Sequence, residues 1–207
     1  TGMTTALDIA AQGYPVHLVE RAGQLGGNVL NFRHKEEGKE IQDFLKELID
    51  KVNGNKLITV HLNSTVEDIP GFVGSFKLKL KGKEEIPVGA VILAVGASQY
   101  KPTEFNYGKD EKVMTNLEVE KKIADGGFKG KDVAFIQCVG SRNDKVPYCS
   151  RVCCAGALRN AIKIKMADPT ANVTVFHKDI RTYAFREELY RKASEVGVIF
   201  LRYNETD

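Results

Sequence analysis

All four cysteines of this chain fall within seventeen residues, as Cys138, Cys149, Cys153 and Cys154. Cys138 ends a predicted strand, so its thiol is expected at the carboxyl end of a parallel sheet, where open α/β folds bind ligands. Pro147 marks the start of a predicted helix. Cys149 and Cys153 are four residues apart near that start and would share one helix face. Four sulfurs placed in this way can converge on one inorganic centre.

The surroundings of these cysteines favour thiolates, because a helix start offers unpaired N–H groups and Arg142, Lys145 and Arg151 add positive charge. A [4Fe-4S] cluster tolerates irregular cysteine spacing if four thiolates reach it. Zinc is a rival, although zinc sites usually use short-spaced pairs and the gap from Cys138 to Cys149 is too long for one. Disulfides and buried or redox-active thiols are further alternatives, and an intracellular location argues against disulfides.

A second set of residues is typical of dinucleotide binding. Gly2 opens the first predicted helix, where the third glycine of a G-x-G-x-x-G turn allows a helix to pack closely on a strand. Glu20 lies 18 residues later at the end of a strand, in the position of a ribose ligand. Arg21, Gly26 and Gly27 form the basic, glycine-rich loop that many flavoproteins place beside the pyrophosphate. Gly2 and Glu20 alone would also suit any βαβ unit.

A late apolar segment adds a third signal for a flavin. Residues 90–96 read as a fully buried strand that returns to the main sheet and ends in Ala94, Val95 and Gly96. Flavoproteins with two dinucleotide-binding domains use this turn near the flavin and usually have Ala-Thr-Gly there, so Val95 departs from the pattern. Together the three segments predict FAD, rather than NAD, in the intact protein.

The elements that must position these residues alternate along the chain. Helices are predicted over 3–13, 36–52, 116–124, 150–166 and 183–196, and strands over 15–20, 57–62, 76–81, 90–96, 132–138, 172–176 and 198–201. Alternating strands and helices predict an α/β fold of parallel βαβ units, with an antiparallel meander around residues 57–86. The loose composition of 97–115 suggests a crossover between domains at 1–105 and 106–207.

Composition excludes several classes of protein. The chain has 30 basic and 27 acidic side chains, spread along it in stretches of mixed sign. This balance does not indicate nucleic-acid binding. No apolar run approaches the roughly 18 residues of a membrane span, and we predict a cytoplasmic protein. The histidines show no partner pattern and are expected to be structural; they are His17, His34, His61 and His177. No catalytic acid or base is predicted, because redox chemistry would belong to the cofactor.

Two motifs carry a family resemblance. Residues 133–142, VAFIQCVGSR, and residues 147–154, PYCSRVCC, resemble the A subunit of heterodisulfide reductase, as do residues 100–108 and 179–188. The resemblance implies a thioredoxin-reductase-like fold of two dinucleotide-binding-like domains, with the amino-terminal strand missing from this sequence. It also implies FAD, and a [4Fe-4S] cluster held by Cys138, Cys149, Cys153 and Cys154. Family members pass electrons between a flavin and iron-sulfur carriers, so the other subunits and such carriers would be partners.

Three functions therefore stay open. The first is an electron-transfer oxidoreductase subunit that uses FAD and one four-cysteine cluster. The second is a noncatalytic assembly domain in which the cysteines hold structural zinc. The third is an NAD(P)H:disulfide oxidoreductase with a redox cysteine pair, for which the adjacent Cys153 and Cys154 would be strained.

Overall fold

The computed structural model of the chain describes residues 1–36 and 39–204. The chain folds into two compact units, Thr1–Ser98 and Gln99–Asp207. Both units combine helices with sheets, as the predicted α/β class requires.

The first unit contains two helices, a parallel strand pair and an antiparallel sheet. Its helices are α1 (Gly2–Ala11) and α2 (Ile41–Asn53). Its strands are β1 (Val16–Val19), β2 (Lys35–Glu36), β3 (Lys39–Glu40), β4 (Ile58–His61), β5 (Val66–Asp68), β6 (Gly71–Phe72), β7 (Ser75–Leu80) and β8 (Ile86–Val88). The helix predicted from residue 36 begins later, at Ile41, because strands β2 and β3 pair with each other just before it.

The core of the first unit lies between the two helices and the parallel pair β1 and β4. Small residues let α1 approach the sheet closely, since Ala6 and Ala10 are its buried positions. Val52 of α2 is fully buried in the same core. Alternation along β1 directs Val16 and Leu18 toward this core. The helical period of the sequence thus indicates correctly which faces are buried.

The predicted antiparallel meander is present, with β7 pairing with β5, β6 and β8. Strict alternation along β7 buries Leu78 and Leu80, while Lys77 and Lys79 face Glu85. One face of this sheet is therefore wet, as its sequence pattern indicates.

The strand predicted over residues 90–96 is wrong in the structure, where this segment forms no strand. Its apolar side chains are mostly exposed, and Val95 is 89% accessible. A strand needs a hydrogen-bonded neighbour, and the sheet that contains β1 and β4 has only these two strands among the described residues. The apolar composition of residues 90–96 cannot specify such a neighbour.

The second unit is a parallel sheet with helices. Its elements are α3 (Asn116–Ala124), β9 (Asp132–Ile136), α4 (Cys153–Ala167), β10 (Asn172–His177), α5 (Glu187–Glu195) and β11 (Ile199–Arg202). The sheet order β11-β10-β9 is parallel throughout and matches the predicted βαβ series. Leu158 and Ala161 of α4 pack with Val173 and Val175 of β10 in a fully buried core. This packing fixes the carboxyl ends of the strands at one edge of the sheet.

Among the described residues, none of the helices combines the length and apolar character that crossing a membrane requires.

Candidate cofactor sites

Cys138 lies where the sequence predicts it, just beyond the carboxyl end of β9. The preceding Gln137 is buried, and its N–H donates to the carbonyl of Phe176 at the end of β10. Cys138 itself adopts a left-handed backbone conformation, with φ of 64°. The N–H of Ser141 donates to the Cys138 carbonyl at 3.0 Å and closes a turn. The chain thus leaves the sheet through a tight turn that sets the position of the Cys138 thiol.

Two tyrosines outside the predicted site residues support this turn. The Tyr203 hydroxyl donates to the Gln137 carbonyl at 2.6 Å. The ring of Tyr100 lies directly against Gly140, whose φ is 69°. The Tyr100 hydroxyl in turn donates to Glu104 at 3.1 Å. In the sequence, the only indication of this support is that residues 100–108 resemble the A subunit of heterodisulfide reductase.

Cys153 and Cys154 form the first turn of α4, which begins three residues later than predicted because Arg151 has a left-handed φ of 61°. Cys154 is 3% exposed, and its thiol forms a hydrogen bond with the sulfur of Cys153. This bond lowers the pKa of Cys153, and the hydroxyl of Ser150 lowers it further. The same bond, burial and the nearby Cys138 raise the pKa of Cys154. The Cys154 thiol also donates to the carbonyl of Asp179 at 3.9 Å.

Cys149 lies in the loop before α4, and its sulfur accepts a hydrogen bond from the Arg151 N–H at 3.3 Å. All four cysteines are free thiols. Within the described residues, however, no three His, Cys, Asp or Glu side chains are arranged to hold a metal ion. Cys138 and Cys154 nevertheless contact the same ion pair, because the Cys138 sulfur lies 4.0 Å from Nη1 of Arg142 and the Cys154 thiol lies 3.9 Å from the carbonyl of its partner Asp179. Cys149 lies in the loop between these two cysteines. The donor set fits a thiolate-bound cluster in its chemistry, since four thiols, N–H donors and a cation share this region.

An ion pair supplies that cation. Arg142 donates to the Asp179 carboxylate at 2.6 Å through Nη2, and its Nη1 lies 4.0 Å from the Cys138 sulfur. Arg142 is well covered, and its own carbonyl accepts a hydrogen bond from Lys178 at 2.7 Å. Arg142 also holds the pKa of Asp179 below its usual range, and Arg202 and Arg181 lower it further.

Two of the flavin-type positions of the first unit, Gly2 and Ala94, lie side by side. A Cβ built on Gly2 would lie 3.5 Å from the Cβ of Ala94 and 3.6 Å from Leu18. Gly2 therefore packs beside the segment that carries Ala94, as the predicted fold requires. The contact is of ordinary length, so the space itself does not demand glycine.

The glycine-rich loop is tied to the same segment by Asn28, whose amide donates to the Ala97 carbonyl at 2.6 Å. Gly26 has a φ of 126°, and a Cβ there would lie 2.9 Å from Leu30. Gly27, with a φ of 52°, opens the short 3-10 helix Gly27–Asn31. The structure thus gathers the predicted loop and the predicted late turn.

Glu20, the predicted ribose ligand, directs its carboxylate to its own loop, where it accepts a hydrogen bond from the Ala22 N–H at 2.9 Å. Arg21 is exposed beside it. Val95 and Gly96 are exposed as well, and Gly96 has a φ of 64° with open space around it. None of these four positions is buried under other side chains, so a ligand could reach each of them.

The structure pairs two of the histidines for which the sequence shows no partner pattern. His17 of β1 and His61 of β4 lie side by side, with Nδ1 of His17 3.0 Å from Nε2 of His61. The parallel register of the two strands causes this pairing. The pairing of Asp179 with Arg142 was likewise not predicted, because 37 residues separate the two.

Comparison with known proteins gives relatives for part of the chain. No family model matches it. It is 42% identical over 137 residues to the A subunit of the H(2):CoB-CoM heterodisulfide,ferredoxin reductase of Methanothermobacter thermautotrophicus, covering 57% of this chain and 21% of that protein. It is 40% identical over 149 residues to the iron-sulfur A subunit of the CoB–CoM heterodisulfide reductase of Methanocaldococcus jannaschii, covering 62% and 23%. The chain thus spans about one fifth of the length of these curated relatives.

Solved structures show the fold. The thioredoxin reductases of T. acidophilum and Lactococcus lactis match with TM-scores of 0.61 and 0.62 at 17% and 18% identity. Each match covers 97% of this chain and 60% of the reductase. The predicted thioredoxin-reductase-like architecture of two dinucleotide-binding-like domains is therefore confirmed.

Proposed function

We propose that this chain, a homologue over about 57% of its length of the heterodisulfide reductase A subunit, is part of an electron-transfer oxidoreductase subunit. In this proposal residues 1–105 bind FAD and residues 106–207 carry a [4Fe-4S] cluster. The observation that carries the proposal is the placement of the four cysteines between the end of β9 and the first turn of α4, where Cys138 and Cys154 contact the same Arg142–Asp179 ion pair.

Cys138, Cys149, Cys153 and Cys154 would hold the cluster, which supplies one-electron transfer when bound. The neighbouring Cys154 and the hydroxyl of Ser150 lower the pKa of Cys153 to about 6, which would make Cys153 available as a thiolate ligand. Arg142 provides a counter-charge to the sulfur of Cys138. Burial of Cys154 keeps water from its sulfur. This environment suits cysteines that hold a thiolate-bound group better than it suits redox-active thiols exposed to solvent.

Gly2, Glu20, Arg21, Gly26, Gly27, Ala94, Val95 and Gly96 would contact the FAD. The contact of Gly2 with Ala94 and the hydrogen bond from Asn28 to Ala97 support a common site for these segments. Glu20 would accept hydrogen bonds from the ribose hydroxyls, and Arg21 would face the pyrophosphate.

The partners would be the other subunits of a heterodisulfide reductase-like complex and iron-sulfur electron carriers. Four free thiols in one chain are typical of a reducing compartment, which supports the proposed cytoplasmic location.

The cluster is tested by anaerobic purification of the chain, or by its reconstitution with iron and sulfide. We expect about four irons per chain and a broad absorbance near roughly 400 nm that bleaches with dithionite. Replacing Cys138, Cys149, Cys153 or Cys154 singly with Ser should lower the iron content sharply. A colourless protein with one zinc ion would instead establish the assembly domain, and loss of two thiols on oxidation without metal would establish the disulfide oxidoreductase.

The flavin is tested separately by the fluorescence of FAD titrated with the chain. We expect Glu20→Ala to weaken FAD binding about tenfold or more, because its hydrogen bonds to the ribose are lost. Glu67→Ala, on the exposed strand β5, is the matched control and should leave affinity unchanged. Equal FAD affinity in Glu20→Ala and the wild type would remove Glu20 from the site.

A further inference from the structure

Asp179 lies beside two of the proposed cluster cysteines through different atoms. Its carboxylate accepts a hydrogen bond at 2.6 Å from Nη2 of Arg142, whose Nη1 lies 4.0 Å from the Cys138 sulfur. Its carbonyl oxygen accepts a hydrogen bond from the Cys154 thiol at 3.9 Å. Asp179 itself lies two residues beyond the end of β10. One residue from a different strand end thus reaches both ends of the segment that carries the cysteines.

The two amino groups of the Arg142 guanidinium have different partners, since one donates to Asp179 and the other to the Cys138 sulfur. A guanidinium is planar and rigid, so fixing one amino group on a carboxylate also fixes the direction of the other. We propose that Asp179 is a positioning residue that holds Nη1 of Arg142 against the Cys138 sulfur and thereby raises the reduction potential of the proposed cluster. This inference rests on the proposed iron-sulfur function.

The two contacts of Asp179 would respond differently to metal loading. The bond from the Cys154 thiol needs a proton, which a metal-bound cysteine no longer carries. The bond from Arg142 to the carboxylate involves no cysteine proton. The contact of Arg142 with Cys138 needs only the sulfur, which accepts with or without its proton. The contact that persists in the loaded chain therefore runs from the Asp179 carboxylate through Arg142.

The surrounding cations hold the pair in place. Arg202 lies 3.8 Å from Oδ1 of Asp179, and Arg181 lies 3.9 Å from Oδ2. Both contacts are longer than that of Arg142, and both side chains are more exposed than that of Arg142, which is 18% exposed. Lys178 donates to the Arg142 carbonyl at 2.7 Å. The backbone of Arg142 therefore keeps a partner from the same strand end when the carboxylate of Asp179 is removed.

The direct effects of Arg142 and Asp179 on a cluster have opposite signs. Reduction adds a negative charge to a cluster, and an N–H donor to a cysteine sulfur or a nearby positive charge stabilises the reduced form. Arg142 should therefore raise the reduction potential, whereas the charge of the Asp179 carboxylate alone should lower it. A positioning role makes the effect of Asp179 depend on the presence of Arg142, and a double-mutant cycle measures this dependence.

The test is a redox titration of the full chain after anaerobic reconstitution with iron and sulfide, followed by electron paramagnetic resonance of the reduced cluster. Arg142→Gln should lower the reduction potential. Asp179→Ala removes the carboxylate and keeps the carbonyl. In the Arg142→Gln background, Asp179→Ala should raise the potential, because only a negative charge is lost. In the otherwise wild-type chain it should raise the potential less, or lower it, because Arg142 loses its direction.

Glu188→Gln is the matched control for charge, because Glu188 is exposed on α5 and its replacement also removes one negative charge from the second unit. Its effect on the reduction potential should be the same with and without the Arg142→Gln substitution. Iron content is measured in every variant, so that loss of the cluster is not mistaken for a shift of its potential.

Equal shifts from Asp179→Ala in the two backgrounds, in chains that hold the cluster, would overturn the positioning role and leave the iron-sulfur function in place. A wild-type chain that binds no iron would overturn both. A second measurement covers a variant that loses its cluster: nitrogen-15 NMR of the Arg142 guanidinium in the metal-free, reduced chain. Asp179→Ala should speed rotation about the Nε–Cζ bond of Arg142, and unchanged rotation would overturn the positioning role.

Discussion

The ring of Tyr100 lies against the backbone of Gly140, two residues beyond Cys138, so that a Cβ at position 140 would overlap its ring atoms. Gly140 also has a φ of 69°, a conformation that other residues adopt at a cost. We therefore expect Gly140→Ala to lower the free energy of unfolding by about 3 kcal/mol, the sum of backbone strain and overpacking. Chemical denaturation of the purified chain measures this change.

Gly126 separates the two causes, because its φ is 70° but a Cβ there would meet nothing within 4 Å. Gly126→Ala should cost about 1 kcal/mol, from backbone strain alone. Replacing Tyr100 with Ala should remove the overlap. Gly140→Ala should therefore cost less free energy of unfolding in the Tyr100→Ala variant than in the wild type. Equal losses of stability in Gly140→Ala and Gly126→Ala would show that the contact with Tyr100 has no energetic weight.

The ion pair between Asp179 and Arg142 makes stability depend on pH. Because its hydrogen bond from Arg142 lowers the folded-state pKa of Asp179, the pair stabilises the fold above the unfolded pKa of about 3.9. This contribution disappears as the pH falls through the lower, folded pKa. In Arg142→Gln the pKa of Asp179 should rise toward its ordinary value, which a carbon-13 NMR titration of the Asp179 carboxyl measures.

Arg191→Gln is the control for this titration, because Arg191 is exposed and pairs weakly with Glu195 on α5 at 3.9 Å. It should leave the Asp179 titration in place. An unchanged pKa of Asp179 in Arg142→Gln would mean that Arg202 and Arg181 alone hold the carboxylate in its charged form.

Local patterns account for what the sequence predicts well. The helical spacing of Ala6 and Ala10 gives α1 and its buried face, and the alternation of Leu78 and Leu80 with lysines gives β7. The apolar run before Cys138 likewise gives β9, which ends two residues before that cysteine. Each of these signals lies within one element or its immediate neighbours, where local spacing alone decides which side chains share a face.

Long-range register accounts for what the sequence does not predict. The contact of His17 with His61 depends on how β1 aligns with β4, across 44 residues. Tyr203 reaches Gln137 across 66 residues. Residues 90–96 have the composition of a buried strand, but strand formation depends on a neighbour that composition cannot specify. Pairings of this kind follow from tertiary packing rather than from local propensity.

Two glycines of the proposed flavin site should respond differently to the same change. Gly26→Ala should lower the free energy of unfolding by about 2–3 kcal/mol, because φ is 126° and Leu30 lies 2.9 Å from the added Cβ. Gly2→Ala should be neutral or stabilising by up to about 1 kcal/mol, because its Cβ makes ordinary contacts inside a helix. Thermal denaturation of both variants measures the difference. A larger loss in Gly2→Ala would mean that α1 approaches the sheet more closely than this structure shows.

The hydroxyl of Tyr203 supports the turn that carries Cys138, since it donates to the Gln137 carbonyl at 2.6 Å. Gln137 is itself only 2% exposed. Tyr203→Phe keeps the ring and removes this bond, so we expect a loss of about 1 kcal/mol in the free energy of unfolding. Amide hydrogen exchange over residues 137–142 should also become faster, because the turn loses its anchor. Tyr183→Phe is the matched control, since the Tyr183 side chain is exposed. If exchange over residues 137–142 were the same in Tyr203→Phe and Tyr183→Phe, the Tyr203 bond would not anchor the turn.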